Sequence, residues 1–470
     1  MNPADKKLKN SGNQDLKNQL KAENENDSAL ENIKAPFQTV KGVHDILPDD
    51  HDYHTYIKKI IRHRSRQAGF RRITTPLLEY TEVFKKSIGE ITDLVANEMY
   101  SFEDPTGHSV TLKPEGTAGI CRSYVQNGMH NLPQPVELYY YEPNFRFDKL
   151  QAGRYRQFWQ FGFEIIGECD PALDAQAIYL AHKIYKDLGI ADTLKLQINN
   201  IGDPESRQVY QDALRDYYYG KERYLSDDDK LKLKVNPMRI LDSKHEDTII
   251  LNQSAPRFSD YLSQECKDFD LEVKDYLNSL GLEFIQNDNL VRGLDYYTRT
   301  VFEFWDNKKG GQNTIGAGGR YDGLIELMGG QPTPALGFAM GIERVIAQMK
   351  REKIRVPRKD DLHVFVAQLG REAKKRCLPL IMELRESGIK TMGALGKGAI
   401  KNQLGLADKF KAPYAVIMGL TEVRENTAII RNMQKGTQVT VPIENVVEEI
   451  IKRIGANNLD FYDTSEPAES

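Results

Sequence analysis

Cysteine is scarce in this sequence: four residues in 470, Cys121, Cys169, Cys266 and Cys377, with no CxxC pair among them. That spacing supplies neither a disulfide framework nor a thiolate zinc site, and it fits a reducing compartment. Long apolar runs are missing too. No stretch approaches the roughly 18 consecutive apolar residues of a membrane-spanning helix, so none is expected. Neither sign of charge dominates, with 64 Lys+Arg against 68 Asp+Glu and a formal net charge of −4. Such a balance argues against indiscriminate coating of nucleic acid but leaves room for a local basic surface. Residues 1–36 contain no arginine, six lysines and six acids. A transit peptide is Arg-rich and a secretory signal has an apolar core, so neither fits. This extension buries too little to offset the entropy of ordering and is expected to be disordered. Residues 456–470, with four acids and no base, read as an acidic tail.

What is present is ordinary for a globular enzyme: 40% hydrophobic and 28% charged residues. The length exceeds what one core usually supports, so at least two domains are expected. Order is expected from Pro36. Asp45-Ile-Leu-Pro48-Asp-Asp suits a helix start, with Pro in the first turn and carboxylates near the positive end. Tyr53, Tyr56, Ile57, Ile60 and Ile61 then recur at helical spacing up to Gly69. A short strand, Phe70–Thr74, ends before Pro76. Residues 137–148 and 156–166 read as an antiparallel hairpin with a long loop. Alternation gives the second strand one apolar face (Trp159, Phe161, Phe163, Ile165) and one mixed face (Phe158, Gln160, Gly162, Glu164). On the first strand Phe145 and Phe147 oppose Asn144, Arg146 and Asp148. The polar face is either solvated or the floor of a site for a charged substrate.

Residues 204–288 are highly charged and helical in pattern, as an inserted helical unit would be. Strand character returns at Val301–Phe304, followed by a glycine-rich stretch, Gly310–Gly319. The segment after Pro334 reads as a helix running through Glu343 to Met349. A new rhythm follows Val356. Strand His363–Val366, helix Glu372–Ser387, strand Tyr414–Ile417 and helix Val446–Ile454 predict a small α/β domain with a largely parallel sheet. Over 361–455 there are 15 Lys/Arg against 10 Asp/Glu, a modest basic excess that suits RNA contact or is simply an uneven solvated surface.

Several short patterns carry no weight. Gly316-Ala-Gly318-Gly319 is not a dinucleotide fingerprint, Gly396-Lys397-Gly398 is not a P-loop, and His51 with His54 lacks the metalloprotease arrangement and reads as a solvated helix face. The informative residues are arginines and carboxylates set among glycines. Pro114-Glu115-Gly116-Thr117 places a carboxylate, a bare backbone and a hydroxyl together. That group either grips an ammonium or is a turn before a helix. Arg292-Gly-Leu-Asp-Tyr296-Tyr297 and Gly337 to Arg344 are each compatible with plain structural roles. Taken together, Arg146, Arg154, Arg292 and Arg344 suit a polyphosphate, and Glu115 and Glu164 suit an amino group or a nitrogen heterocycle.

These segments resemble the class II aminoacyl-tRNA synthetases, and specifically the histidyl-tRNA synthetases, over roughly 36–455. Gly69–Glu79 is similar to the first class II motif, Asn144–Asp148 with Gly153–Phe158 to the second, and Gly337–Arg344 to the third. Arg292–Tyr297, Gly318–Gly323 and Pro114–Thr117 resemble the histidine-binding segments of the family. The resemblance implies an α+β catalytic domain over 37–350, its mainly antiparallel sheet flanked by helices. It also implies a helical insertion (204–288) that clasps the tRNA acceptor arm and a C-terminal α/β anticodon-binding domain (361–455). It further implies ATP-dependent activation of L-histidine and transfer to the 3′ end of tRNA(His). ATP would enter as a substrate with Mg2+, with no tightly bound cofactor. A cytoplasmic homodimer joined through the 69–79 region, with no membrane association, completes the expectation.

Roles follow residue by residue. Glu115, Thr117 and Gln160 would hold the α-amino group of histidine. Glu164 and Tyr297, with Tyr296 beside them, would bind the ring, whose two nitrogens donate and accept. Arg146 would hold the α-phosphate, Arg344 with Arg154 the outer phosphates, and Asp148 a contact near the nucleotide. Arg292 would stabilise charge where the carboxylate attacks. Two positions depart from the family pattern: Asp148 stands where Glu is usual, and Lys149 where Arg is frequent. Three other readings compete. A regulatory paralogue of histidine biosynthesis would lose the catalytic arginines and the C-terminal domain, and a tRNA-sensing module of a kinase would come with kinase signatures. A class II enzyme for threonine or proline would not carry Arg292–Tyr297.

Overall fold

The structure is a computed structural model that describes residues 37–89, 92, 94–148, 153–243, 245–308, 314–357, 362–393, 396 and 398–461. The 1–36 extension, Lys149, the glycines at 310 and 311, Lys397 and the tail from 462 lie outside the described residues. The chain divides into two compact units between Arg355 and Val356.

The first unit is built on an eight-stranded sheet. Its strands are β1 (Arg71–Arg72), β5 (Val136–Phe145), β6 (Gln157–Ile166), β7 (Leu194–Asn200), β8 (Ile285–Gln286), β9 (Thr298–Asp306), β10 (Thr314–Arg320) and β11 (Ala335–Gly341). The spatial order is β1-β5-β6-β11-β10-β9-β7-β8, antiparallel except at its two edges, β1 with β5 and β7 with β8. Strands β2 (Leu78–Tyr80), β3 (Tyr100–Glu103) and β4 (Ser109–Leu112) form a separate three-stranded sheet. The expected hairpin is the β5–β6 pair, in register from Val136 opposite Ile166 to Phe145 opposite Gln157.

Helix α1 (Pro48–Gln67) starts where the sequence places it, with Pro48 in the first turn, Asp49 and Asp50 near its positive end and Arg64 and Arg66 in the last turn. Gly69 follows at φ 94°, a left-handed turn that glycine accepts without strain. The reading of His54 as solvated is corrected. It is 8% exposed, and its Nδ1 lies 2.7 Å from the Tyr141 hydroxyl. Burial, and then the neighbouring His51, push its pKa down to about 4. Helices α2 (Thr81–Ile88), α3 (Thr117–Gln126) and α4 (Pro171–Asp187) follow. Phe161, Phe163, Phe302, Phe304 and Phe338 interleave on one side of the sheet against Tyr185 of α4, with Phe302 and Phe338 stacked at 6.0 Å. Phe147 is not part of that apolar face. It lies past the end of β5, half exposed, under the Arg156 guanidinium at 3.7 Å.

Between β7 and β8 lie α5 (Pro204–Tyr218), α6 (Asp227–Val235), α7 (Glu246–Asn252) and α8 (Gln264–Ser279). The helical part ends at Ser279, and Ile285–Gln286 join the edge of the main sheet. The largest departure from expectation is at 335–341. This segment is a central strand, and the helix after it, α10 (Ile342–Arg351, following the short α9 at Leu324–Leu327), begins only at Ile342. Leu336, Phe338 and Met340 alternate with Gly337, Ala339 and Gly341, a period of two that sorts large side chains to the core and small ones to the other face.

The second unit holds β12 (Val364–Gln368), β13 (Thr391–Gly393), β14 (Tyr414–Met418), β15 (Thr427–Asn432) and β16 (Gln438–Pro442) in the order β13-β12-β14-β15-β16. The first three are parallel, and β15 and β16 extend the sheet antiparallel, so the sheet is mixed. Helices α11 (Arg371–Glu386), α12 (Ile400–Lys409), α13 (Leu420–Glu425) and α14 (Val446–Ile454) accompany it.

Candidate active site

Cross-strand partners share a face, so the ladder determines what lies on the sheet opposite the phenylalanine core. Tyr140, Glu142 and Asn144 of β5 stand beside Gln160, Gly162 and Glu164 of β6. Next come Gly337, Ala339 and Gly341 of β11, then Ala317 and Gly319 of β10, then Glu303 of β9. The middle of this face therefore carries glycine and alanine while its flanks carry polar groups. A ligand lying there can approach the backbone closely and meet functional side chains at both ends. Glu164, on this face, is 0% exposed, so the face is not simply solvated there.

At one end lies a pocket of carboxyl and phenol groups. Glu164 Oε1 accepts from the Thr117 hydroxyl at 2.8 Å, and Oε2 accepts from the Tyr321 hydroxyl. A Cβ at residue 337 would sit 1.7 Å from Glu164 Oε2, so only glycine leaves room for this carboxyl. Burial pushes the Glu164 pKa up to about 8; the bonds from Tyr321 and Thr117 hold it back, and the nearby Glu115 carboxyl adds to the rise. Glu115, 4% exposed, accepts the Thr117 and Ala118 backbone N–H groups at 2.8 Å each and so ties itself to the start of α3. Its pKa is also raised, by burial first. Tyr296 and Tyr297 are buried, their ring centroids 4.7 Å apart, and Tyr296 meets Tyr321 edge-on at 5.7 Å. Gln160 Oε1 accepts from Asn144 Nδ2 at 2.8 Å.

The other end is arginine-rich. Arg146 stacks over Phe158 at 5.5 Å and its Nε donates to the Pro114 carbonyl at 2.8 Å, which ties the second motif to the Glu115 segment. Arg154 pairs with Asp148 at 2.9 Å. Arg344, in the first turn of α10, donates to the carbonyls of Gly153 and Thr314. Burial, followed by the fields of Arg154 and Arg146, lowers the Arg344 pKa. Arg344 thus lies within the fields of two other guanidinium groups, a concentration of positive charge suited to a polyanion. Arg292 forms an ion pair with Glu303, while its Nε is buried with no partner among the described residues. Burial opposes its charge, but Glu303 and the phenols of Tyr297 and Tyr296 raise its pKa.

All eleven residues singled out from the sequence lie in or around this face: Glu115, Thr117, Arg146, Asp148, Arg154, Gln160, Glu164, Arg292, Tyr296, Tyr297 and Arg344. Four others at the site were not singled out. Tyr321 belongs to the Gly318–Gly323 stretch, and Asn144 was already on the polar face. Tyr140 fills the space against Gly116 and Gly162, where a Cβ would come within 2.4 and 2.3 Å of its ring and hydroxyl. Glu303 accepts from Arg292, from Trp305 Nε1 and from Thr314 Oγ1, the last two at 2.6 Å each. Strand alternation is the signal that would have found Tyr140 and Glu303.

The pattern of the histidyl-tRNA synthetase family matches residues 42–345. The chain belongs to that family. The anticodon binding domain pattern matches residues 363–453 of the second unit. A histidine–tRNA ligase of Dehalococcoides mccartyi is 44% identical over 418 residues, 89% of this chain and 100% of the relative. One of Desulforamulus reducens is 42% identical over 407 residues, 87% and 97% respectively. The crystal structure of the apo Staphylococcus aureus histidyl-tRNA synthetase superposes with a TM-score of 0.74 at 34% identity, covering 88% of this chain and 99% of that one. Among the described residues no helix is long and apolar enough to cross a membrane.

Proposed function

We propose the following division of labour for the activity of this family, activation of L-histidine by ATP and its transfer to the 3′ end of tRNA(His). The enzyme first joins the histidine carboxylate to the α-phosphorus of ATP, releasing pyrophosphate. A hydroxyl of the terminal ribose of the tRNA then attacks the carbonyl carbon, and AMP leaves.

The imidazole sits against Glu164, whose carboxylate accepts one ring N–H, and Tyr297, which meets the other nitrogen, with Tyr296 closing the side. Buried polar groups left unpaired by any other side chain give this pocket its selectivity. Glu115, Thr117 and Gln160 receive the α-ammonium. Arg146 holds the α-phosphate, Arg344 and Arg154 the outer phosphates, and Asp148 keeps Arg154 in place. Arg292, whose buried Nε lacks a partner among the described residues, faces the attacking carboxylate and stabilises the charge of the transition state. Magnesium arrives with ATP and neutralises its phosphates. The observation that carries this reading is the join of a fully buried carboxyl, Glu164, to a cluster of arginines across a floor of glycine and alanine.

The helices of 204–279 serve the acceptor arm of the tRNA and the second unit its anticodon, the latter supported by the matching domain pattern. Two copies associate through the 69–79 region. Support comes from Leu77, Leu78 and Tyr80, which are 43%, 47% and 56% exposed, an apolar surface of the kind that subunits cover. Free cysteines, Cys121, Cys169, Cys266 and Cys377, agree with a cytoplasmic setting.

Binding of histidine alone and of a non-hydrolysable ATP alone, measured by calorimetry, tests the division. Glu164→Gln is expected to lose histidine and keep the nucleotide, and Arg344→Met the reverse. Loss of both ligands in either variant would overturn it.

A further inference from the structure

The geometry points to Asn144 as a direct acceptor for the α-ammonium of the bound amino acid. The inference rests on the reading that Glu115 and Thr117 receive that group, and it revises that reading at the third position, where Asn144 rather than Gln160 meets the ammonium.

Asn144 is 0% exposed and stands on the site side of β5. The end of its strand runs along the segment that carries Glu115: Phe145 N donates to the Lys113 carbonyl at 2.9 Å, and Arg146 Nε donates to the Pro114 carbonyl at 2.8 Å. On its other side, Asn144 Nδ2 donates to Gln160 Oε1 at 2.8 Å. Its Oδ1 is buried and has no partner among the described residues. With Gln160 presenting its carbonyl, reversing the Asn144 amide would set two oxygens against each other, so the Asn144 donor faces Gln160 and its acceptor faces away. A buried carbonyl oxygen left unpaired is costly, and a fold keeps one where a ligand supplies the donor.

Counting acceptors leads to the same place. An ammonium group offers three N–H donors. Gln160 Oε1 already takes Asn144 Nδ2 and the Tyr140 hydroxyl, the latter at 3.4 Å, which occupies both of its lone pairs. Glu115 keeps one lone pair on each oxygen beyond those it gives to the Thr117 and Ala118 amides, and the Thr117 oxygen accepts while its proton goes to Glu164. Asn144 Oδ1 adds a neutral acceptor that no other donor among the described residues takes. Gln160 then acts as a positioning residue, keeping the Asn144 amide oriented.

Two ligands separate this role from general packing. L-Histidinol has the ring and the ammonium without the carboxylate; imidazole propionate has the ring and the carboxylate without the ammonium. In calorimetric titrations of the full chain, Asn144→Leu is expected to weaken histidinol about tenfold and leave imidazole propionate within about twofold. Asn144→Asp keeps an acceptor at the position and is expected to hold histidinol within about threefold of the parent. Equal weakening of both ligands by Asn144→Leu, or weakening of neither, overturns the inference. So does selective loss of histidinol in Asn144→Asp, and that variant decides the matter if the leucine variant does not fold. Glu115→Gln serves as the control for the parent reading. If it leaves histidinol binding intact, the ammonium does not lie at Glu115 at all, and that failure is separate from one at Asn144.

Discussion

Arg239, from the helical segment between β7 and β8, donates to Asp295 Oδ2 at 2.8 Å, in the middle of the Arg292–Tyr297 stretch. Asn236 donates to the other oxygen of Asp295 at 3.1 Å, and Arg207 donates to the Tyr297 carbonyl at 2.7 Å. Residues outside the catalytic sheet therefore hold the backbone that presents Arg292, Tyr296 and Tyr297. Arg239→Met is expected to raise the KM for histidine about tenfold in ATP–pyrophosphate exchange, a size typical of losing a charge-assisted bond, with the KM for ATP unchanged. A parallel rise in both constants would mean that the contact serves stability alone.

Arg292→Ala should lower kcat for exchange on the order of a hundred- to a thousand-fold, since it removes a donor aimed at developing charge. Circular dichroism should show the native fold. Glu303→Gln keeps an acceptor for Arg292 but loses the ion pair, and a smaller loss of kcat is expected. Full exchange activity in Arg292→Ala would remove that residue from the chemistry.

Glu164 gives a pH signature of opposite sign to the usual carboxylate. Its pKa is raised by burial to about 8 from an ordinary 4.5. Between those values the folded chain binds a proton that the unfolded chain has released, so stability falls as pH rises through that window. Glu164→Gln has no such proton. Its melting temperature, relative to the parent, should climb from pH 5 to pH 8, as measured by calorimetry without ligands. A difference that stays flat with pH would show that the carboxyl is already ionised in the free enzyme.

Lys113 and Glu142 form an ion pair that is almost fully buried, with Thr75 donating its backbone N–H to Glu142 Oε1 at 2.9 Å and receiving Lys113 Nζ at its hydroxyl at 3.1 Å. Lys113→Met would strand the Glu142 carboxyl. A loss of about 3–5 kcal/mol is expected, measured by denaturant unfolding of the first unit. The double variant Lys113→Met, Glu142→Leu should recover most of it. An equal loss in the double variant would mean that packing, not the stranded charge, sets the cost.

Much of this architecture was legible in the sequence, and the exceptions have identifiable causes. The β5–β6 hairpin stood out because aromatic and β-branched residues alternate along both strands, and helix α1 because Pro48, two carboxylates and Gly69 bracket a helical repeat. Residues 335–341 form a strand where a helix is expected, because Gly337, Ala339 and Gly341 look like helix-packing positions when taken alone. Their period of two becomes visible only when Leu336, Phe338 and Met340 are read with them. The burial of His54 depends on Tyr141, and the partnership of Glu164 with Tyr321 spans 157 residues. Both contacts arise from tertiary packing between segments distant in the chain, which no local spacing reveals. The β9–β10 ladder shifts register between Gly319 and Arg320, while β10 stays in register with β11. Arg320, opposite Leu336, therefore keeps to the core face and meets Asp174 of α4, where both side chains are buried.

The central claim is that the pocket around Glu164 and Tyr297 selects the amino acid, and ATP–pyrophosphate exchange with each of the twenty amino acids tests it most directly. The account predicts exchange with histidine alone, and its loss in Glu164→Gln. Exchange with another amino acid, or undiminished histidine exchange in that variant, would contradict it.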